Sequence, residues 1–571
     1  MTKINKENDK KQSASESESA GNGFFVFDKL SLRRLYPVNF VLMGVLGDLC
    51  LTRVNNEIFD YADNEQLKPL NQVFMCDVLP GPDKNPIDFL KELYKKCYGY
   101  GCLGRYFKKS SLKKIEIERK QRNINTPELF DQRLIEFFEE QFNNEEYKKT
   151  IDPLEPLKSM LTTLGIFLME NYKKSGTPAE IKTILSEKPD EMDWIFYIGI
   201  PPTEYKGIID SIKDYFSNTM SRENHSGPAR VFLLEKPLQE NYNKALKFSK
   251  YLIDEKNENK FKELGFHFFA VDHYAAKWAL WQLPVLNTIP NFINFIDKVD
   301  EIIIELLEDK TIPELRLNYM AKTGLFFDMM PHALIPIQFL FAGKAIKCEE
   351  VNKLVVGYYK GYDTDVENWK EMAGKGDIMN DIRYETYFSL RLSLMISDPE
   401  KPQEGDRKID VFIRSGKGLI EERKRVILKR RENKLKGINL GRFIFIIDIK
   451  EDKFEPYTES VSLPPHILKP KAASKHIRGH ARILYDVMEY LSTLNNGSAE
   501  RSKIVELLSV DNAAEIIGCI ENIKGRIDKI NGWPKDIADM TPYERGKEIV
   551  LIEDIEKKFL YPFNNKDIEL C

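Results

Sequence analysis

Four polar groups of complementary chemistry lie within the seven residues Val271-Asp272-His273-Tyr274-Ala275-Ala276-Lys277. Asp272 can orient and polarise an imidazole, while His273, Tyr274 and Lys277 can each donate a hydrogen bond to an anion. The segment follows the largely apolar run Phe266 to Val271 and precedes Trp278-Ala279-Leu280-Trp281. That order reads as strand, turn and helix. The donors then stand where a helix begins, and free backbone N–H groups and the helix dipole attract phosphate there. Taken alone, the heptad fits a buried strand end with a solvated polar turn equally well.

Two further segments place chemistry at strand ends. Gly44-Val45-Leu46-Gly47-Asp48-Leu49 follows the apolar run Phe40 to Met43 and opens a helix from about Leu49 to Asp60. Glycines at such a turn let the backbone approach a pyrophosphate, which then sits on the helix N-terminus. The stretch lacks a full G-x-G-x-x-G, so a tight strand-to-helix turn carries about equal weight. Glu235-Lys236-Pro237 closes the strand Val231 to Leu234. A lysine at a strand's carboxyl end, with the chain stopped by proline, faces the ligand crevice of a parallel sheet; the alternative is an exposed surface lysine.

The elements that must position these groups alternate in the first half. Strands are expected at Phe40 to Met43, Val73 to Cys76, Trp194 to Ile200, Val231 to Leu234 and Phe266 to Val271. Helices are expected at Ile87 to Tyr98, Phe107 to Tyr147, Leu154 to Tyr172, Tyr205 to Met220 and Gln239 to Ile253. Such alternation implies βαβ units, a parallel sheet and ligands beyond its carboxyl ends. In the second half, Ile302 to Leu307, Tyr384 to Leu394, Ile409 to Arg414, Arg425 to Lys429 and Phe443 to Ile449 are strand-like, with helices at about Leu325 to Phe341 and Arg478 to Leu494. Strands with few helices between them suit a large, mainly antiparallel sheet in an α+β domain.

Composition bounds the function. The chain has 571 residues, 42% of them hydrophobic and 30% charged, an ordinary balance for two or three globular domains. A net charge of −4 gives no bulk attraction to nucleic acid or anionic membrane. The apolar runs fall far short of a bilayer span, and Met1 to Gly23 has the polar composition of a disordered tail instead of a secretory signal. Scattered cysteines indicate reduced thiols and a cytoplasmic setting. His476 and His480 are four apart without an evident carboxylate-rich partner segment, so no metal site is expected.

The order of motifs is more specific than any one of them. Gly-x-x-Gly-Asp-Leu, Ile200-Pro201-Pro202, Glu235-Lys236-Pro237, Asp272-His273-Tyr274-x-x-Lys277, a histidine at 332 and Ile413-Arg414-Ser415-Gly416-Lys417-Gly418-Leu419 succeed one another in one chain. Val355-Val356-Gly357-Tyr358-Tyr359 and Glu385-Thr386-Tyr387-Phe388 extend the pattern. From about residue 38 to 490 the chain resembles the glucose-6-phosphate dehydrogenase family, as a divergent member. The resemblance implies a Rossmann-like dinucleotide domain over residues 24–274 and a β+α substrate and dimerisation domain over 275–571. It implies oxidation of glucose 6-phosphate at C1 to the lactone, with hydride passing to NADP, in the oxidative pentose phosphate pathway. It implies a homodimer or homotetramer, with no nucleic acid or membrane partner. His332 would be the base, and Asp272 its orienting partner. His273, Tyr274 and Lys277 would hold the 6-phosphate, Lys236 would sit between sugar and coenzyme, and Lys417 would be a further substrate contact. Gly44, Gly47, Asp48, Leu49, Arg53, Asp77, Pro201 and Lys236 would line the coenzyme site.

Departures from the pattern carry their own expectations. Tyr319-Met320-Ala321 stands where the family has a carboxylate that contacts sugar hydroxyls. Gly324 to His332 is one residue shorter than usual, a change of about 100° on a helix that could turn His332 away. Pro331 would kink that helix. Glu422, beside Arg423, occupies the place of an expected basic residue. Cys76-Asp77-Val78 replaces the arginine for the 2′-phosphate of NADP; an acidic residue there favours the 2′-hydroxyl of NAD. The second reading is thus a non-catalytic or altered-specificity relative that binds a nucleotide or sugar phosphate without efficient turnover. A third is another two-domain sugar oxidoreductase, of the glucose-fructose oxidoreductase type.

Overall fold

A computed structural model describes residues 38–44, 50, 54, 57, 72–78, 166–169, 185, 192–219, 228–239, 241–253, 255–272, 274–275, 277–286, 290–308, 317–342, 344–357, 387–398, 405–417, 422–430, 443–451, 453–456, 479–495 and 508–530. The helices expected at Ile87 to Tyr98 and Phe107 to Tyr147 lie outside these residues, as does the tail Met1 to Gly23.

The first sheet is parallel throughout. Its strands are β1 (Val38–Met43), β2 (Gln72–Val78), β3 (Ile166–Met169), β4 (Asp193–Ile198), β5 (Arg230–Glu235) and β6 (Phe266–Val271). Their spatial order is β3-β2-β1-β4-β5-β6. This is the doubly wound dinucleotide-binding order, in which the strand order reverses between β1 and β4. Between the strands lie α1 (Tyr205–Thr219), α2 (Tyr242–Ile253) and α3 (Glu255–Glu263). After β1, the described residues Cys50, Val54 and Glu57 are helical.

Side-chain alternation divides the strands between two cores. Val41, Met43, Phe196, Ile198, Phe232 and Leu234 meet Ile208, Ile212 and Phe216 of α1 and Phe248 of α2. Phe40, Leu42, Ile195, Tyr197, Val231 and Leu233 enter the other core, which is continuous with the second sheet. Burial on both faces accounts for the near-unbroken apolar runs of β1 and β4.

After β6 come three short helices, α4 (Trp278–Trp281), α5 (Leu283–Leu286) and α6 (Pro290–Ile296), then β7 (Val299–Leu307), α7 (Leu317–Leu340) and β8 (Ala345–Gly357). Next are β9 (Tyr387–Ser397), β10 (Arg407–Gly416), β11 (Arg423–Arg430), β12 (Phe443–Asp448), β13 (Lys453–Pro456), α8 (His480–Asn495) and α9 (Val510–Ile530). The second sheet runs β13-β12-β11-β7-β10-β9-β8. It is antiparallel except between β7 and β10. Its inner face, with Ile302, Ile304, Val411, Ile413, Val426 and Leu428, packs under α7 in the core that α8 also enters.

Two expectations, for Ile166–Met169 and for the helix after β6, are corrected. Ile166–Met169, read as part of a helix, is an edge strand paired with Met75–Val78. Four apolar residues do not discriminate the two periods, and pairing decides. Pro331 lies inside α7, as does Pro336, and the helix runs on to Leu340. The helix expected to receive an anion after β6 is α4, a single turn, so little dipole accumulates at its start.

Candidate active site

The chemically competent groups gather where the parallel strands end. Gly44 follows β1 at φ +79° and is buried, and a Cβ there would meet the Gly199 carbonyl oxygen at 2.5 Å. Its N–H donates to the Cys76 carbonyl at 2.9 Å, and the Gly199 N–H donates to the Met43 carbonyl at 3.0 Å. Only glycine combines that φ with that approach, so this crevice suits a dinucleotide backbone. Asp77 lies within β2, one residue before its end, in place of following the strand. Pro201 follows β4, and its carbonyl accepts the Glu204 N–H at 3.0 Å. Gly47, Asp48, Leu49 and Arg53 lie outside the described residues, as does His273.

The end of β6 meets α7. The two Asp272 carboxylate oxygens stand 2.8 and 2.7 Å from His332 Nδ1. The Tyr274 N–H donates to Asp272 at 2.7 Å, and the Tyr274 ring stacks on the His332 ring at 4.2 Å between centroids. Both dyad members are buried. Burial pushes the Asp272 carboxyl up, but His332, Lys236 and the Tyr274 N–H outweigh it and hold the group below the usual carboxylate value. Burial, reinforced by Lys236, holds His332 below the ordinary histidine value against the pull of Asp272. An ionised Asp272 therefore accepts a hydrogen bond from the Nδ1–H of a neutral imidazole, and Nε2 is left as the basic nitrogen. The shortened Gly324 to His332 spacing does not turn His332 from Asp272.

One helical turn before His332, Asp328 joins the two lysines. Lys236, directly after β5, reaches one Asp328 carboxylate oxygen at 3.0 Å and the Asp328 carbonyl at 3.1 Å. Lys417, directly after β10, reaches the other carboxylate oxygen at 2.9 Å. Asp328 and Lys417 are buried. Two strand ends from different sheets thus converge on one helix turn beside the dyad. Lys277 is half-buried, and its N–H donates to the Tyr274 carbonyl at 3.0 Å. Glu422 is held by Lys424 at 3.0 Å and Lys450 at 3.1 Å. A small cavity of about 50 Å³ borders Lys236, Asp272 and Pro331. A larger one, about 580 Å³, lies between α7, β8 and α9 and is not lined by Asp272, His332, Asp328 or the two lysines.

Residues 103–280 match the family described as glucose-6-phosphate dehydrogenase, NAD binding domain. Over that span the chain is similar to the glucose-6-phosphate dehydrogenase family. The matched span begins after β2 and ends just beyond the dyad's aspartate and the following turn. Among solved structures, a glucose-6-phosphate dehydrogenase in complex with its substrate glucose-6-phosphate is 13% identical, with 86% of this chain and 92% of that one covered and a TM-score of 0.48. The glucose-6-phosphate 1-dehydrogenase of Mycobacterium avium is 14% identical, with 88% and 96% covered and a TM-score of 0.47. An inositol dehydrogenase homolog complexed with NAD+ from Azotobacter vinelandii is 10% identical, with 88% and 97% covered and a TM-score of 0.42. No curated protein matches the chain.

Asp328 is absent from the sequence-based expectations for a glucose-6-phosphate dehydrogenase, which sought a carboxylate at Ala321. The available signal was its spacing: Asp328 and His332 stand four apart, one above the other on a helix. His480 was likewise passed over because its carboxylate partners, Glu57 and Glu235, lie 423 and 245 residues away.

Proposed function

We propose that this protein oxidises glucose 6-phosphate at C1 with a nicotinamide coenzyme as hydride acceptor. The observation that carries the reading is the Asp272–His332 contact, a carboxylate oxygen 2.7 Å from the imidazole Nδ1 where the parallel sheet meets α7. The family match over residues 103–280 supports a nicotinamide coenzyme. The residues fit one: Gly44 admits a close phosphate backbone, and Asp77 stands near the carboxyl end of β2, where an acidic group binds a ribose hydroxyl. When bound, the coenzyme supplies the hydride acceptor.

The chain's own groups do the rest. His332 Nε2 takes the C1 hydroxyl proton as the C1 hydrogen leaves, and Asp272 stabilises the resulting imidazolium. Lys236 and Lys417, gathered on Asp328, supply positive charge beside the sugar. Tyr274, Lys277 and His273 receive the 6-phosphate. Residues 24–274 form the coenzyme part and 275–571 the substrate part. Two copies pair through the second sheet, as the resemblance to the family implies.

The non-catalytic reading rests on Ala321, Pro331 and the shortened Gly324 to His332 spacing, and the Asp272–His332 contact counts against the last of these. The test is the appearance of reduced coenzyme with glucose 6-phosphate and either NAD or NADP. Turnover with glucose 6-phosphate, none with unphosphorylated glucose, and NAD used at least as efficiently as NADP are expected. Silence with every hexose phosphate and both coenzymes would overturn the reading.

A further inference from the structure

A second buried histidine ties the site together from behind. His480 begins α8 and is 1% exposed. Its Nδ1 stands 2.7 Å from Glu57 Oε2, and its own N–H donates to the same oxygen at 2.6 Å. Its Nε2 stands 3.0 Å from Glu235 Oε1. A neutral imidazole has one N–H, so two ring nitrogens facing carboxylate oxygens require both protons. Glu235, itself 3% exposed, receives the Tyr197 hydroxyl on the same oxygen. Its other oxygen accepts the Lys236 N–H at 3.0 Å. The Tyr205 hydroxyl donates to the Glu235 carbonyl at 2.6 Å. Gly479, at φ +53°, makes room for Glu57, since a Cβ there would lie 2.2 Å from its carboxylate.

We infer that His480 is a positioning residue: bracketed by Glu57 and Glu235, it fixes the strand end from which Lys236 reaches Asp328 and ties that lysine to the helix behind the Gly44 turn. The chain of contacts is short. His480 holds the Glu235 carboxylate, which holds the Lys236 backbone, and Lys236 Nζ holds Asp328 one turn from His332. The same imidazole anchors α8, from the later part of the chain, to strand ends of the dinucleotide sheet. The groups facing it are Glu57 from the helix after β1, Tyr197 from β4 and Glu235 from β5, with Cys50 beside Glu235. Burial pushes the Tyr197 and Cys50 groups well up, so both stay neutral around it. The two carboxylates outweigh burial and raise His480 to about 9.

The catalytic half of the test rests on the function proposed above, so a second readout is independent of turnover. In the full chain, His480→Ala should lower kcat/KM for glucose 6-phosphate by roughly 10- to 100-fold, with His480→Gln, which keeps one amide donor, recovering part of it. Wild-type kcat/KM should decline as pH passes about 9, and both variants should lack that limb. Independently, acetylation of Lys236 read by mass spectrometry should be about tenfold faster in His480→Gln, with exposed Lys206 as internal control. If His480→Ala does not fold, His480→Gln and Glu57→Gln carry the same measurements. A lower Tm with unchanged kcat/KM, an unchanged alkaline limb and unchanged Lys236 labelling would overturn the inference. Absent turnover in the wild type contradicts the proposed function instead, and the labelling then decides the positioning role alone.

Discussion

At the scale of single residues, the dyad and the lysine pair depend on one another. Lys236 depresses both Asp272 and His332 while it holds Asp328. Asp328→Asn would leave two largely buried ammonium groups around a neutral amide, and breaking such an interaction costs about 3–5 kcal/mol. The expected outcome is a lowered Tm in a thermal melt together with a raised KM for glucose 6-phosphate; an unchanged KM would separate Asp328 from the sugar site. That Asp272, His332, Lys236 and Lys417 stand close together was legible in the sequence because motif order groups them. Asp328 was not, because its role comes from a lysine on each of two remote strand ends. His480 was hidden for the same reason, since neither carboxylate that charges it is near in sequence.

At the scale of elements, strand ends were the most readable feature. Short buried runs such as Trp194 to Ile198 and Phe266 to Val271 end in turn residues, and the parallel sheet brings those ends together. What resisted reading was any element whose identity is settled by a partner. Ile166–Met169 pairs at the sheet edge in place of joining a helix, and α9 has an amphipathic pattern without a flanking motif. The first βα turn carries the clearest backbone constraint. Gly44→Ala would impose a left-handed φ on a side chain and push its Cβ against Gly199, a strain of about 1–3 kcal/mol. Coenzyme affinity, measured by fluorescence titration with reduced coenzyme, should weaken at least tenfold while the protein stays folded. Unaltered affinity would place the dinucleotide elsewhere.

At the scale of the whole molecule, one core runs from the dinucleotide sheet through α7 and α8 to the second sheet, so the site is assembled by both. The fold class was readable because the rhythm of the chain changes after α4, from alternating strands and helices to strands with few helices between them. The second sheet's outer face combines Ile303, Ile427 and Ile446 with Phe412 packed against them, beside Glu305 held by Arg414 and Arg425. On the proposed pairing of two copies through the second sheet, light scattering of the full chain should give twice the monomer mass; a monomer mass would contradict the pairing. No helix among the described residues is long and apolar enough to cross a membrane.

The central claim, that His332 is a neutral base oriented by Asp272, is tested most directly by the pH dependence of kcat/KM for glucose 6-phosphate in wild type and His332→Gln. A base protonated only below the ordinary histidine value of 6.5 keeps wild-type activity level through neutral pH and loses it below that value. Replacing it should lower the rate by roughly 10²- to 10⁴-fold and abolish the acid limb. A His332→Gln enzyme with wild-type turnover and the same acid limb would contradict the account.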